Sequence, residues 1–124
     1  MSVKDDIEET KKQVFVFDNI TFGFDKTNIT RESEKILNNA LIVLKEHNNI
    51  LIEISGHTDN RGTKNYNKIL SIKRAESVKE WLAKKGIDSE RMTAIGFGME
   101  KPIVPNTTKS NRQKNRRCEL KQTN

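Results

Sequence analysis

The chain has 124 residues, 33% hydrophobic and 32% charged, with a net charge of +6 and one cysteine, Cys118. That length suits one domain with a single small core, and the lone thiol excludes an internal disulfide or a cysteine-built zinc site. The whole charge excess lies in residues 101–124, which hold seven basic and one acidic side chain, so this end is either a solvated basic face or a contact for an anionic partner.

In chain order, residues 1–13 are charged and unpatterned, and are expected to be a linker or a disordered N-terminal segment ahead of a domain spanning 14–124. Met1–Lys12 lacks the apolar stretch of a secretory signal, and no run approaches the roughly 18 apolar residues of a membrane span. Any export or anchoring signal is therefore expected outside this sequence. VFVFDNITFGF, Val14–Phe24, gathers four of the five phenylalanines among β-branched residues around Asp18–Asn19. It reads as two short strands, or one strand broken by a turn, with the rings as core.

Thr30 is a helix-capping type, and Ile36, Leu37, Ala40, Leu41 and Leu44 recur at helical spacing, which predicts a helix to about Glu46. ILIEIS, Ile50–Ser55, alternates Ile50, Ile52 and Ile54 against Leu51, Glu53 and Ser55, which predicts a strand with one buried face. Tyr66–Lys85 is free of glycine and proline, carries Ile72, Ala75, Val78 and Leu82 on one stripe, and meets a stop at Gly86. RMTAIGFG is a third strand, EKPIVPN a loop, and RRCELK a last strand with Cys118 and Leu120 inward and Arg117, Glu119 and Lys121 outward. The order β-α-β-α-β-β predicts an α/β fold, an α+β sandwich in which helices pack on a mixed sheet.

GHTDNRGTKNYN, Gly56–Asn67, links the second strand to the second helix and holds the most chemically suggestive residues. It offers no nucleophile beside a base, no pair of carboxylates across a cleft and no open metal site. His57 and Asp59 are two residues apart, but zinc needs three or four ligands and His47 is the only other histidine. A loop-bracing imidazole is the better account of His57. Asn67, Leu70 or Ser71, and Arg74 share one stripe of the second helix. Asp59 and Arg74 can therefore face one cleft, where the carboxylate favours an ammonium and the guanidinium a carboxylate, or they can simply pair with each other. Spacing does not separate these two readings.

Four segments, ITFGFDKTNIT, EISGHTDNRGTKNYNKILSIKRAESVKEWL, IGFGMEKPIVPN and NRQKNRRCEL, resemble in order and spacing the OmpA-like C-terminal domain family over roughly Val14–Leu120. This module is shared by peptidoglycan-associated lipoproteins, OmpA and flagellar stator proteins. The resemblance implies a β-α-β-α-β-β domain that binds peptidoglycan noncovalently, without enzymatic activity or cofactor. It implies that Asp59 and Arg74 grip the diamino acid of the stem peptide, commonly meso-diaminopimelate, with Phe24, Asp25, Thr58, Asn67, Leu70 and Arg117 as secondary pocket residues. It also implies a periplasmic location beside the outer membrane or wall, with any membrane attachment or oligomer supplied by other parts of the parent protein. A stator-type parent is the alternative in role. Neither a wall hydrolase nor a nucleic-acid binder has a supporting motif, and the phenylalanines read better as core than as a stacking platform. Cys118 stands where the family has an aliphatic residue and is expected to act as a small hydrophobe.

Overall fold

The computed structural model describes residues 13–124; the linker expected over 1–13 falls outside them apart from Gln13. The elements are β1 (Ile20–Thr21), α1 (Arg31–Glu46), β2 (Ile52–Gly56), α2 (Lys64–Lys84), a 3₁₀ turn (Ser89–Arg91), β3 (Met92–Gly96), α3 (Lys109–Asn115) and β4 (Arg117–Gln122). One four-stranded sheet has the order β1-β4-β2-β3. β2 and β3 run parallel across the α2 crossover, while β4 enters between β1 and β2 and is antiparallel to both. The mixed sheet and its two long helices match the α/β reading of the sequence.

α1 begins where Thr30 Oγ1 accepts from the Ser33 N–H at 3.1 Å, satisfying a donor that the first turn leaves free. Leu37, Ala40 and Leu44 are buried against the sheet, with Ile36 and Leu41 packed at the margin. α2 starts in the same way at Thr63 and ends before Gly86, whose φ of +107° is a left-handed conformation that glycine adopts at low cost. Ala75, Val78 and Leu82 are fully buried, and Ile52 and Ile54 of β2 complete this layer with Cys118 and Leu120 of β4.

Two glycines set the height of α2 over the sheet. Gly56 and Gly96 pair in register at the ends of β2 and β3, and a Cβ on either would overlap α2 at Ser71 or Ile72. The helix thus lies directly on the strand ends, and its Asn67–Arg74 stretch stands beside the segment that leaves β2.

Three expectations need correction. α3 interrupts the loop expected between the third and fourth strands; it is a polar turn capped by Thr108, with no apolar stripe to betray it. Val14–Phe24 forms only the two-residue β1 and an isolated Val16–Lys121 bridge, and is otherwise irregular. Of its rings, Phe22 is core, Phe15 and Phe17 are partly buried, and Phe24 is 51% exposed. Ser55 is buried although alternation puts it opposite the isoleucines, because His57 and Phe97 lie on that face too.

Candidate functional site

After Gly56 the chain keeps sheet-like bonds for two more residues: the His57 N–H donates to the Arg117 carbonyl at 2.8 Å and the Thr58 N–H to the Gly98 carbonyl at 2.9 Å. His57, Thr58 and Asp59 are all buried. Asp59 then closes the turn, its Oδ1 accepting from the Arg61 N–H at 2.9 Å in the manner of an Asx turn. Its Oδ2 accepts from Arg116 Nη1 at 3.0 Å.

Arg74 is completely buried. Its Nε donates to the Lys26 carbonyl at 2.9 Å, Nη1 to His57 at 2.9 Å and Nη2 to Gly23 at 3.0 Å. One guanidinium thus ties α2 to the β1–α1 connection and to the end of β2. A guanidinium has five N–H groups, so one donor on each terminal nitrogen remains for another partner. Burial, reinforced by the neighbouring Arg116 charge, lowers the Arg74 pKa from 12.5 to about 10, with Cys118, Asp59 and Asp25 opposing the drop. It is cationic at neutral pH.

Asp59 and Arg74 share a cleft without pairing. The carboxylate's ion pairs are with Arg116 at 3.0 Å and, more loosely, Arg61 at 3.9 Å. Phe24, Asp25, Thr58, Asn67 and Leu70, which the resemblance names, line the same cleft, joined by Arg61, Tyr66 and Arg116. Three arginines face two aspartates, so the cleft carries one net positive charge. Its outer side is covered: the Arg61 guanidinium lies 4.0 Å over the Phe24 ring, and the Tyr66 hydroxyl donates to Asp25. Asn67 Nδ2 holds the Arg61 carbonyl at 2.9 Å. The space left inside is about 10 Å³, room for about one water.

Arg117 is not in the cleft. It opens β4, and successive strand residues point to opposite faces; its side chain meets Glu119 at 2.6 Å, the Lys101 carbonyl at 3.0 Å and the Asn115 carbonyl at 3.2 Å on the far side of the sheet. Arg116, one residue earlier, reaches Asp59. The resemblance implies Arg117 as a pocket residue; in the structure its neighbour Arg116 lines the cleft instead. Arg61 and Tyr66 were also missed; both lie in the linking loop or the first turn of α2, where no periodicity assigns a direction.

His57 is turned away from Asp59. Its ring stacks on Phe97 at 5.5 Å and its Nε2 lies 3.0 Å from Ser55 Oγ, while Nδ1 has no partner among the described residues. Burial first, and then the Arg117 charge, lower its pKa from 6.5 to about 4, so it is neutral at pH 7. It braces the loop chiefly through its backbone, whose carbonyl accepts from Arg74.

A model of the OmpA family matches residues 21–116, a span containing every residue of the cleft. The peptidoglycan-associated lipoprotein of Buchnera aphidicola is 36% identical over 114 residues, covering 92% of this chain. The crystal structure of the peptidoglycan-associated lipoprotein from Burkholderia pseudomallei superposes with a TM-score of 0.81 at 33% identity, over 85% of this chain and 89% of that one. The cell wall anchor of the T6SS from Pseudomonas aeruginosa gives 0.71 at 28% identity, over 95% of this chain and 91% of that one. The chain spans 66% of the length of the Buchnera lipoprotein, and as little as 12% of other curated relatives that it matches.

Proposed function

The chain belongs to the OmpA family, and from that premise we propose that residues 14–124 hold a periplasmic envelope protein to peptidoglycan, noncovalently, by the diamino acid of the stem peptide. The observation that carries this reading is one buried cleft in which Asp59 and Arg74 stand together without neutralising each other. A diamino acid with a free amino-acid end presents an ammonium and a carboxylate on one carbon. Arg74 retains a free donor on each terminal nitrogen, which suits a carboxylate oxygen pair, and Asp59 retains acceptor capacity for the ammonium. Lysine or ornithine in a stem peptide presents the ammonium without the neighbouring carboxylate, which would leave Arg74 unmatched and favours diaminopimelate.

The cover has to move for this ligand to enter, because the closed space of about 10 Å³ is far smaller than an amino acid. Phe24, Asp25, Arg61 and Tyr66 are the exposed members of the cleft, so opening them disturbs little core. The cleft's ionic groups, Asp59 against Arg74 and Arg116, are arranged to hold a zwitterion, which supports attachment. Repetition of the stem peptide along the polymer turns modest single-site affinity into firm attachment when several copies engage.

The test is sedimentation of the domain with purified sacculi, alongside calorimetric titration with diaminopimelate, lysine and ornithine. Co-sedimentation without release of soluble fragments, competed by diaminopimelate, is expected. A domain that stays in the supernatant, or that binds sacculi but ignores diaminopimelate at millimolar concentration, would overturn the assignment.

A further inference from the structure

A second, larger cavity of about 370 Å³ lies on the other side of Asn67 from the cleft, between the first turns of α2 and the segment after β3. That volume falls within the range of small-ligand pockets. Its walls are Lys64, Asn65, Lys68, Phe97, Met99 and Glu100, with Gly98 at the back. Phe97 and Met99 give it an apolar floor, while the charge at its rim is unbalanced. Lys64 is 3.7 Å from Glu100, but among the described residues neither Lys68 nor Lys101 has a carboxylate within 4.0 Å. Both instead stand over the Phe97 ring, their Nζ atoms 6.0 Å and 3.8 Å from its centroid.

The cavity is built into the same frame as the cleft. The Gly98 carbonyl accepts from the Thr58 N–H at 2.9 Å, beside Asp59, and the Gly98 N–H donates to Ser71 Oγ at 2.8 Å. Asn67 belongs to the cleft wall and its Nδ2 lies 3.7 Å from Met99 Sδ. Thr58, Asn67 and Gly98 thus join the cleft and the cavity through one bonded frame.

We infer that this cavity is a second subsite, which takes a free carboxylate on the residue joined to the diamino acid, with the alkyl part of that residue against Phe97 and Met99. The inference rests on the cleft holding the diamino acid. Lys68, in the wall, and Lys101, beside the Phe97 ring, supply the charge, and a ring that favours cations at its face draws both ammonium groups towards it. A neutral residue at the same place gains only the apolar contact.

Two dipeptides separate the two sites: γ-glutamyl-diaminopimelate carries the extra carboxylate, and alanyl-diaminopimelate does not. Titration of the labelled domain, followed by amide shifts, should show both ligands moving Thr58, Asp59 and Arg74, and only the glutamyl one moving Phe97, Gly98 and Lys68. The glutamyl dipeptide should bind about tenfold more tightly, and Lys68→Gln with Lys101→Gln should erase that ratio while leaving alanyl-diaminopimelate affinity unchanged. Equal affinities, or a ratio that survives the double substitution, would overturn the subsite and leave the cleft assignment standing. Shifts confined to Phe97, Gly98 and Lys68 would instead support a carboxylate site and sink the diamino-acid reading. Absence of shifts at either place would sink both.

Discussion

Arg116 donates to Asp59 across 3.0 Å, and Asp59 is almost fully removed from water, with Arg116 nearly so. Such a pair is costly to break from one side, because the survivor keeps a buried charge without its partner. Arg116 Nε also serves the Phe22 carbonyl at 3.0 Å, so its loss also frees an acceptor on the β1 side. Arg116→Ala is expected to lower unfolding free energy by about 3 kcal/mol. In a double-mutant cycle with Asp59→Asn, the coupling should exceed about 1 kcal/mol; urea denaturation of the four proteins giving additive losses would show the pair to be incidental.

Arg74 has to be treated as a structural as well as a binding group. Arg74→Ala leaves the carbonyls of Gly23, Lys26 and His57 without the donor they share, and the orphaned carbonyl of buried His57 alone costs about 1–3 kcal/mol. This variant should therefore lose stability and sacculus binding together. Asp59→Asn is the cleaner probe, since it keeps shape and the Arg61 N–H bond. Its diaminopimelate affinity should fall on the order of tenfold or more, with the urea midpoint moved less than that of Arg74→Ala. Unchanged calorimetric affinity in a folded Asp59→Asn protein would remove Asp59 from the ligand.

What could be read from the sequence follows from where the signal is periodic. The α1 stripe through Leu37, Ala40 and Leu44, and the alternation of Ile50, Ile52 and Ile54, fix elements and faces because burial repeats with the period of the backbone. Thr30, Gly86 and the inward Cys118 and Leu120 were equally legible. α3 was not, since its seven polar residues contribute only Asn115 to the interior. In the cleft, spacing along α2 placed Asn67, Leu70 and Arg74 together, but nothing local said that Arg74 would spend three donors on backbone carbonyls. The alternation of β4 already set Arg117 opposite Cys118, but which of the two neighbouring arginines meets Asp59 depends on a contact 57 residues away in the chain, which no local pattern carries.

His57 makes stability depend on pH. The unfolded chain protonates it near 6.5, whereas the folded protein resists until about 4, because burial, Arg117 and Lys101 disfavour the cation more than Glu119 favours it. The depressed value means that its contribution is complete above pH 6.5 and is lost as the pH falls towards 4, at about 1.4 kcal/mol per unit and about 3 kcal/mol in all. Denaturation at pH 7 and pH 4.5 should show a steeper loss for the wild type than for His57→Gln. Parallel pH profiles for the two proteins would mean that His57 titrates alike in the folded and unfolded states.

Cys118 should be inert while the fold is intact. It is fully buried, and burial raises its pKa to about 12 against the opposing pull of Arg74 and Arg117, so the thiolate that reacts with disulfide reagents is scarce. Labelling with an aromatic disulfide should proceed only through unfolding, slow at neutral pH and rapid in urea. Fast labelling of the native protein would show that β4 opens locally.

Gly56 is the position where backbone packing and the cleft meet. A Cβ there overlaps the Ser71 carbonyl, and a helix backbone cannot yield as a flexible side chain does, so Gly56→Ala has to lift α2 off the strand ends. Overpacking of this kind costs about 1–3 kcal/mol. Because the lifted turns carry Asn67, Leu70 and Arg74, diaminopimelate affinity should fall with stability. Gly86→Ala provides the contrast: its φ of +107° imposes a penalty of about 1 kcal/mol or more at the far end of the same helix, and affinity should be unchanged. If Gly56→Ala lost stability but kept full affinity, the close seating of α2 would serve the fold alone, and the cleft would owe its geometry to the bonds of Arg74.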